Sequence, residues 1–192
     1  MIHSKSSDRG NFENALMHAS GDIILLADQD DIWLSQKLRT FKSELKNCDL
    51  ISSDAYLIEP QGQRIGQKFY GELTPITNLA RKIIKIRYHG CTMAFKRELL
   101  EIALPFPSEM PIHDGWLGLL AELTGTVNHI PTALTEYRIH QSNTSNTKNS
   151  LFYKIHYRFY LFKELYKRYK IYNPETGLPA FLNRLNNPVI KN

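Results

Sequence analysis

Cysteine is nearly absent from this 192-residue chain: Cys48 and Cys91 stand far apart in the sequence. Two such residues give neither a disulfide framework nor a metal-binding spacing, so both are expected as buried thiols in a reducing, cytoplasmic compartment. Long apolar runs are also missing. No stretch nears the ~20 residues needed to cross a bilayer, and the start, Met1-Ile2-His3-Ser4-Lys5, lacks the apolar centre of a secretory signal. Internal repeats are absent. Most of the chain has no excess of one charge. The formal net charge is +5, yet Lys154, Arg158, Lys163, Lys167, Arg168 and Lys170, set against the single acid Glu164, account for all of it. A basic character confined to residues 151–172 argues against a nucleic-acid-binding surface.

What remains is an ordinary globular composition, 42% hydrophobic and 22% charged, sufficient for one domain with a core. Phe12, Ala15, Leu16 and Ala19 follow helical spacing and Gly21 supplies a stop. The run Asp22-Ile23-Ile24-Leu25-Leu26-Ala27 reads as a buried strand of a parallel sheet. Ser35 is expected to cap a helix whose inner face is Leu38, Phe41 and Leu45. A strand within 50–58 should end at the turn Pro60-Gln61-Gly62, and Thr74-Pro75 should open a helix reaching about Lys85. Tyr88 to Phe95 reads as a strand, 97–103 as a short helix and Trp116 to Leu123 as an apolar helix. Two strands, near 126–130 and 133–139, should be split by Pro131, and the polar stretch 141–150 reads as a linker. The rhythm is mixed α/β.

The chemistry concentrates in Asp28-Gln29-Asp30-Asp31, directly after the first strand. Three carboxylates so close raise one another's pKa unless a cation answers them, and open α/β sheets gather ligands at the carboxyl ends of their strands. A divalent metal carrying a phosphorylated ligand is the simplest resolution. A solvated loop or a Ca²⁺ site are the alternatives. Two further segments stand out, His113-Asp114 at a helix start and Tyr137-Arg138-Ile139-His140 after the last strand. Alone, Asp114 reads as an N-cap and His140 as a surface histidine. His3, His18, His89, His129 and His156 show no ligand spacing.

In order and spacing these segments resemble the family 2 glycosyltransferases, in particular the rhamnosyltransferase-like branch. The likeness rests on Asn11-Phe12-Glu13, Gly21-Asp22-Ile23, Asp28-Gln29-Asp30-Asp31-Ile32-Trp33, Lys37-Leu38, Gly90-Cys91-Thr92-Met93-Ala94-Phe95, His113-Asp114 and Tyr137-Arg138-Ile139-His140-Gln141-Ser142-Asn143. It spans about residues 8–145. The resemblance implies an α/β GT-A fold, a Rossmann-like mixed sheet with flanking helices. It also implies inverting, metal-assisted transfer from a nucleotide-diphosphate sugar, dTDP-rhamnose or a UDP-sugar, to a growing glycan or lipid-linked acceptor in cell-surface polysaccharide synthesis.

By the same resemblance, Asp28 and Asp30 match the DxD acids that hold Mn²⁺ or Mg²⁺ against the donor diphosphate, with Asp31 flanking them and His140 matching a position that contacts the metal or diphosphate. Arg138 is placed to offset phosphate charge. Asp114 matches the catalytic base, with His113 beside it to orient the acceptor or tune that base. Gly90 and Cys91 match the acceptor-facing loop. Trp33 is either a sugar-stacking residue or packing at the base of the acid loop; Trp116 is expected in the core.

The front departs from the family pattern, which begins with a strand ending in Pro-Thr-Tyr-Asn, a helix and a second acid-ending strand. The expectation is therefore a partial GT-A domain over 1–145, lacking its N-terminal nucleotide-binding third, with weak or no transferase activity of its own. The alternative is an inactive remnant, or a fragment completed by a partner chain that supplies strands. A metal-dependent phosphohydrolase using Asp28, Asp30 and Asp31 is a third reading, disfavoured because no nucleophile motif accompanies the acids. Residues 146–192 read as a linker and a basic, aromatic helix with the stripe Leu151, Ile155, Phe159, Phe162, Tyr166 and Tyr169. That helix either docks on the domain or lies on an anionic membrane at the inner face.

Overall fold

A computed structural model describes residues 8–71, 78–110, 113–140 and 150–187. In chain order the elements are α1 (Asp8–Met17), β1 (Ile23–Leu25), β2 (Ile32–Trp33), α2 (Lys37–Glu44), β3 (Leu50–Ile58), β4 (Arg64–Lys68), α3 (Leu79–Ile84), β5 (Met93–Lys96), α4 (Leu99–Ala103), α5 (His113–Thr124), β6 (Val127–Arg138), α6 (Leu151–Tyr172) and α7 (Leu178–Asn186). The strands form one mixed sheet in the order β1-β5-β3-β6-β2, and β4 adds to the second half of β3.

Side chains on β3 alternate between two cores, as the period of 2 requires. Leu50 joins Met93 and Phe95 in the larger core, while Ile51 joins Ala94 and Leu134 beneath α2. The larger core is filled by α5, whose residues 115–123 are all buried. A helix apolar around its whole circumference belongs in the centre of a fold. Gly118 permits the closest contact: a Cβ there would lie 2.3 Å from the Tyr88 ring.

Several elements differ from their sequence expectations. The run after Gly21 is not a buried strand of a parallel sheet. β1 is a three-residue edge strand antiparallel to β5, and the parallel pairing among the described strands is β3 with β6. Leu38 is 56% exposed and Lys37 is fully buried, so α2 packs through 37, 41 and 45. Ser35 does not cap it; the cap position is Gln36, without a side-chain bond.

Pro131 does not divide β6, which runs unbroken while its register against β3 shifts between Ser52 and Ala55. A bulge absorbs a residue that cannot donate to the ladder. The hairpin strand β4 follows the turn at Gly62, which adopts φ 91°, and its exposed, polar sequence carried no strand signal. Gly90–Thr92 forms a short 3₁₀ turn ahead of β5 instead of extended strand. The helix start expected at Thr74 falls outside the described residues; α3 is capped by Asn78, whose side chain accepts from the Arg81 N–H. The stretch expected as a linker falls almost wholly outside them as well.

The tail helix docks on the domain; of the expected stripe Phe162, Tyr166 and Tyr169 pack on the core around Phe181, while Ile155 and Phe159 are exposed. Tyr157, Leu161, Leu165 and Tyr169 are buried at four-residue steps, whereas Phe159 is 73% exposed. α7, which the sequence reading did not separate, adds Phe181 and Leu185 to the same core. Two of the tail's cations tie it to the domain and a third shapes the tail itself. Arg168 donates to the carbonyls of Ile102, Leu104 and Pro105, Arg158 to that of Ile84, and Lys170 to those of Pro174 and Thr176. Among the described residues, no helix is long and apolar enough to cross a membrane.

Packing through this stripe predicts unequal costs on truncation. Leu161→Ala should lower unfolding free energy by about 2–5 kcal/mol in urea titrations. Phe159→Ala should change it by less than about 0.5 kcal/mol. A larger loss for Phe159→Ala would mean the helix presents its other face.

Candidate active site

β1 ends at Leu25 and the chain turns through Asp28 to Asp31 into β2, which returns alongside β6. This loop is strapped from the far end of β6. The Arg138 N–H donates to Asp31 Oδ1 at 3.0 Å, and the Arg138 guanidinium donates to the carbonyls of Asp30, Glu59 and Pro60. His140 Nε2 meets Asp30 Oδ2 at 2.8 Å. The structure thus brings Asp30, Asp31, Arg138 and His140 together, and it gives the Arg138 guanidinium carbonyl partners that hold the loop's shape.

Asp28, an exposed residue, and the half-buried Asp31 lie beside the buried Cys91 of the 3₁₀ turn. One ligand atom from each of these three residues lies within 4.8 Å of the others. Burial raises the Asp28 carboxyl above its ordinary pKa, and the charges of Asp31 and Asp30 raise it further. Asp31 is also raised, chiefly by burial, against the opposing effect of the Arg138 N–H and the Cys91 thiol.

The floor under these acids is Lys37, a residue the sequence reading placed only within a motif. Its side chain is fully buried. Nζ donates to the Cys91 carbonyl at 2.7 Å and the Thr135 hydroxyl at 2.9 Å, and lies 4.4 Å from the centre of the Trp33 ring. Burial pulls its pKa down to about 8, while the charges of Asp31 and Asp28 work to hold its proton. The signal was available. Position 37 lies one helical turn before Phe41 and two before Leu45, so α2 needed only a rotation of one residue to bury a cation. Trp33, 37% exposed, covers this ammonium and does not act as a core residue.

Across the site, Asp114 sits in the first turn of α5, where a carboxylate is favoured by the helix dipole. It is not a conventional N-cap. Oδ2 accepts from the Gly90 N–H at 3.0 Å and Oδ1 from the Gly115 N–H at 2.7 Å. Burial raises its pKa to about 6, the hydrogen bonds oppose this, and the Asp28 charge adds to the rise. Asp28 and Asp114 therefore share an electrostatic environment, joined through the segment that carries Gly90 and Cys91. His113 stacks on Phe12 with ring centres 4.0 Å apart, and its Nε2 lies 3.7 Å from where a Gly90 Cβ would stand.

Tyr70 and His89, absent from the sequence candidates, form the wall beyond Gly90. The Tyr70 hydroxyl lies 2.9 Å from His89 Nδ1 and 3.1 Å from the Arg87 carbonyl. Burial lowers His89 to about 4, so its ring is neutral at physiological pH. Phe69 meets His89 and Tyr137 edge-on, closing the wall. Asp54 accepts from the N–H groups of Ala55 and Tyr70 and is structural, and Trp116 is in the core as expected.

The acid loop fits a divalent cation. Asp31 Oδ2 is buried with no hydrogen-bond partner among the described residues, which is costly for a carboxylate beside like charges. Two hard carboxylates suit Mn²⁺ or Mg²⁺. Burial holds the Cys91 thiol protonated, well above its ordinary pKa, so Asp28 and Asp31 are the fitting ligand pair and Cys91 their neutral neighbour.

No family model and no curated protein matches this chain. Among solved structures it is similar to Staphylococcus aureus TarS residues 1–349 in complex with UDP-GlcNAc, at 18% identity and a TM-score of 0.50, covering 90% of this chain and 58% of that one. A second structure of TarS 1–349 gives 20% identity over 71% of this chain and 42% of that one, with a TM-score of 0.48. The chain thus spans about half the length of the structures it matches. The likeness shows the fold, a GT-A-like mixed α/β sheet with flanking helices.

The buried ammonium yields a test. Lys37→Met conserves volume but removes the donor to the Thr135 hydroxyl and one of the two donors to the Cys91 carbonyl, which keeps only the Thr135 hydroxyl, so stability at pH 7 should fall by about 1–3 kcal/mol. The loss should shrink near pH 4, where Asp28 and Asp31 protonate and need no counter-cation. A loss independent of pH would exclude the electrostatic role.

Proposed function

We propose that the chain carries the catalytic part of a glycosyltransferase that takes sugar from a nucleoside-diphosphate donor. The observation that carries this reading is the pairing of an acid loop suited to a cation, beside Cys91, with a raised, partly buried aspartate that bonds the neighbouring Gly90. The fold likeness supports it, and the donor in the TarS complex, UDP-GlcNAc, makes a UDP-sugar the first donor class to test. The rhamnosyl donor, the inverting outcome and Mn²⁺ or Mg²⁺ belong to this proposal.

In this reading Asp28 and Asp31 would hold the cation, with Asp30 oriented by His140 at the edge of the loop. A bound divalent cation supplies positive charge against the departing diphosphate. Arg138 fixes the loop's shape by gripping its backbone. Asp114 accepts the proton of an acceptor hydroxyl as that oxygen bonds to the anomeric carbon. The bond from that carbon to the diphosphate oxygen breaks on the opposite face, its electron pair leaving with the phosphate, so configuration inverts. The Gly90 N–H keeps Oδ2 of Asp114 in place, leaving the other carboxylate lone pairs for the proton. His113, pinned on Phe12, shapes the approach.

A base must be ionised to act, so its protonation sets the pH profile. Asp114 stands near 6, and transfer from UDP-sugars should therefore rise with pH through about 6 and level off above it. Asp114→Asn should reduce turnover by ~10²–10⁴-fold, measured as UDP release dependent on added acceptor. A profile flat from pH 5 to 8, or an active Asp114→Asn protein, would contradict the assignment.

A further inference from the structure

The tail helix α6 buries one face against the domain and leaves the opposite face in solvent. Phe152 is 82% exposed, Ile155 50% and Phe159 73%. They stand at i, i+3 and i+7, so their side chains share one face of the helix. The end of α3 is held beside α6, because the Arg158 guanidinium donates to the Ile84 carbonyl at 3.1 Å. Ile84 is itself 71% exposed. Four large apolar side chains from two neighbouring elements therefore stand in water, and none belongs to either core. Exposed apolar surface gathered in this way marks an interaction site, whereas single scattered residues do not.

Cations flank these residues on both elements. Lys154 and Lys163 of α6 are exposed, and neither ammonium has an ion pair among the described residues. Arg81 and Lys85, also exposed, stand on either side of Ile84 in the sequence. Acids are few here. Glu164, the one acid of α6, is tied to Lys167 at 2.6 Å. Glu109 meets α6 at Tyr160, on the opposite flank of the helix from Arg158.

Apolar side chains flanked by cations select among occupants. A second copy seated face to face would set like charges against each other, since a two-fold interface repeats the same patch on both sides. An anionic lipid surface answers both halves of the face. Phenyl and aliphatic groups enter the acyl boundary, while lysine and arginine stay at the level of the headgroup phosphates. The formal net charge of the chain is carried by residues 151–172, so attraction to such a surface acts on this helix. We propose that the exposed face of α6, with Ile84 of α3, rests the folded domain on an anionic membrane. The helix lies in the plane of the headgroups and keeps its buried face on the core. This surface does not depend on the glycosyl-transfer reading.

The full chain is sedimented with vesicles of phosphatidylcholine alone, and with vesicles of equal parts phosphatidylcholine and phosphatidylglycerol. Binding should require the anionic lipid and weaken as salt is raised. Phe159→Ala, which should leave stability almost unchanged, should weaken binding about tenfold. Lys154→Gln combined with Lys163→Gln should weaken it about twentyfold. Leu38→Ala, which removes an exposed apolar side chain on α2, should leave it unchanged. Equal binding to both vesicles, no binding to either, or indifference to Phe159→Ala would overturn the proposal. So would a dimer seen by light scattering and dissolved by Phe159→Ala, since a second copy would then occupy the face.

Discussion

A lysine ammonium buried beneath a loop of carboxylates is the constraint on which the rest of this structure turns. Desolvation makes Lys37 costly, and it is retained by the Cys91 carbonyl, the Thr135 hydroxyl and the Trp33 ring while facing Asp28 and Asp31. Asp31 Oδ2 is buried without a hydrogen-bond partner among the described residues, an arrangement that a further cation would fit. Lys37 also joins three elements, since its own helix, the turn at Cys91 and strand β6 meet at its Nζ. Its Nζ also lies 5.7 Å from the centre of the Phe41 ring, which belongs to the second, smaller core.

From that centre the site extends through a short segment of backbone. Cys91 rests on Lys37, Gly90 bonds Asp114, and His89 bonds Tyr70. The acid loop and the candidate base are therefore arranged along consecutive residues. The Asp28 charge already acts on Asp114. Neutralising the loop would lower the Asp114 pKa and make the base readier at neutral pH, which couples donor-side charge to acceptor-side proton transfer by electrostatics alone.

Much of this was legible in the sequence, and the exceptions have physical causes. The acid cluster, Asp114 and the helix that follows it were readable because charge placed at element ends and unbroken apolar runs are local signals. The fold class followed from the α/β rhythm and the motif resemblance. Lys37 was missed as a buried residue, despite its spacing to Phe41 and Leu45, because periodicity counts lysine as polar and chose Leu38 for the inner face. β6 was divided at Pro131 because a bulge that accommodates proline is a property of two paired strands. The stripe on α6 was right at Phe162, Tyr166 and Tyr169 and misplaced at Ile155 and Phe159, since aromatic residues occupy several of its faces, and only contact with α5 and α7 selects among them.

The central claim is that Asp28 and Asp31 form a cation-dependent seat for a nucleoside diphosphate. The most direct measurement is calorimetric titration of UDP into the chain with and without Mn²⁺, repeated on Asp31→Asn. Binding should require the metal and fall by at least about tenfold in the variant. UDP binding of equal strength without metal, or unchanged by Asp31→Asn, would contradict the account.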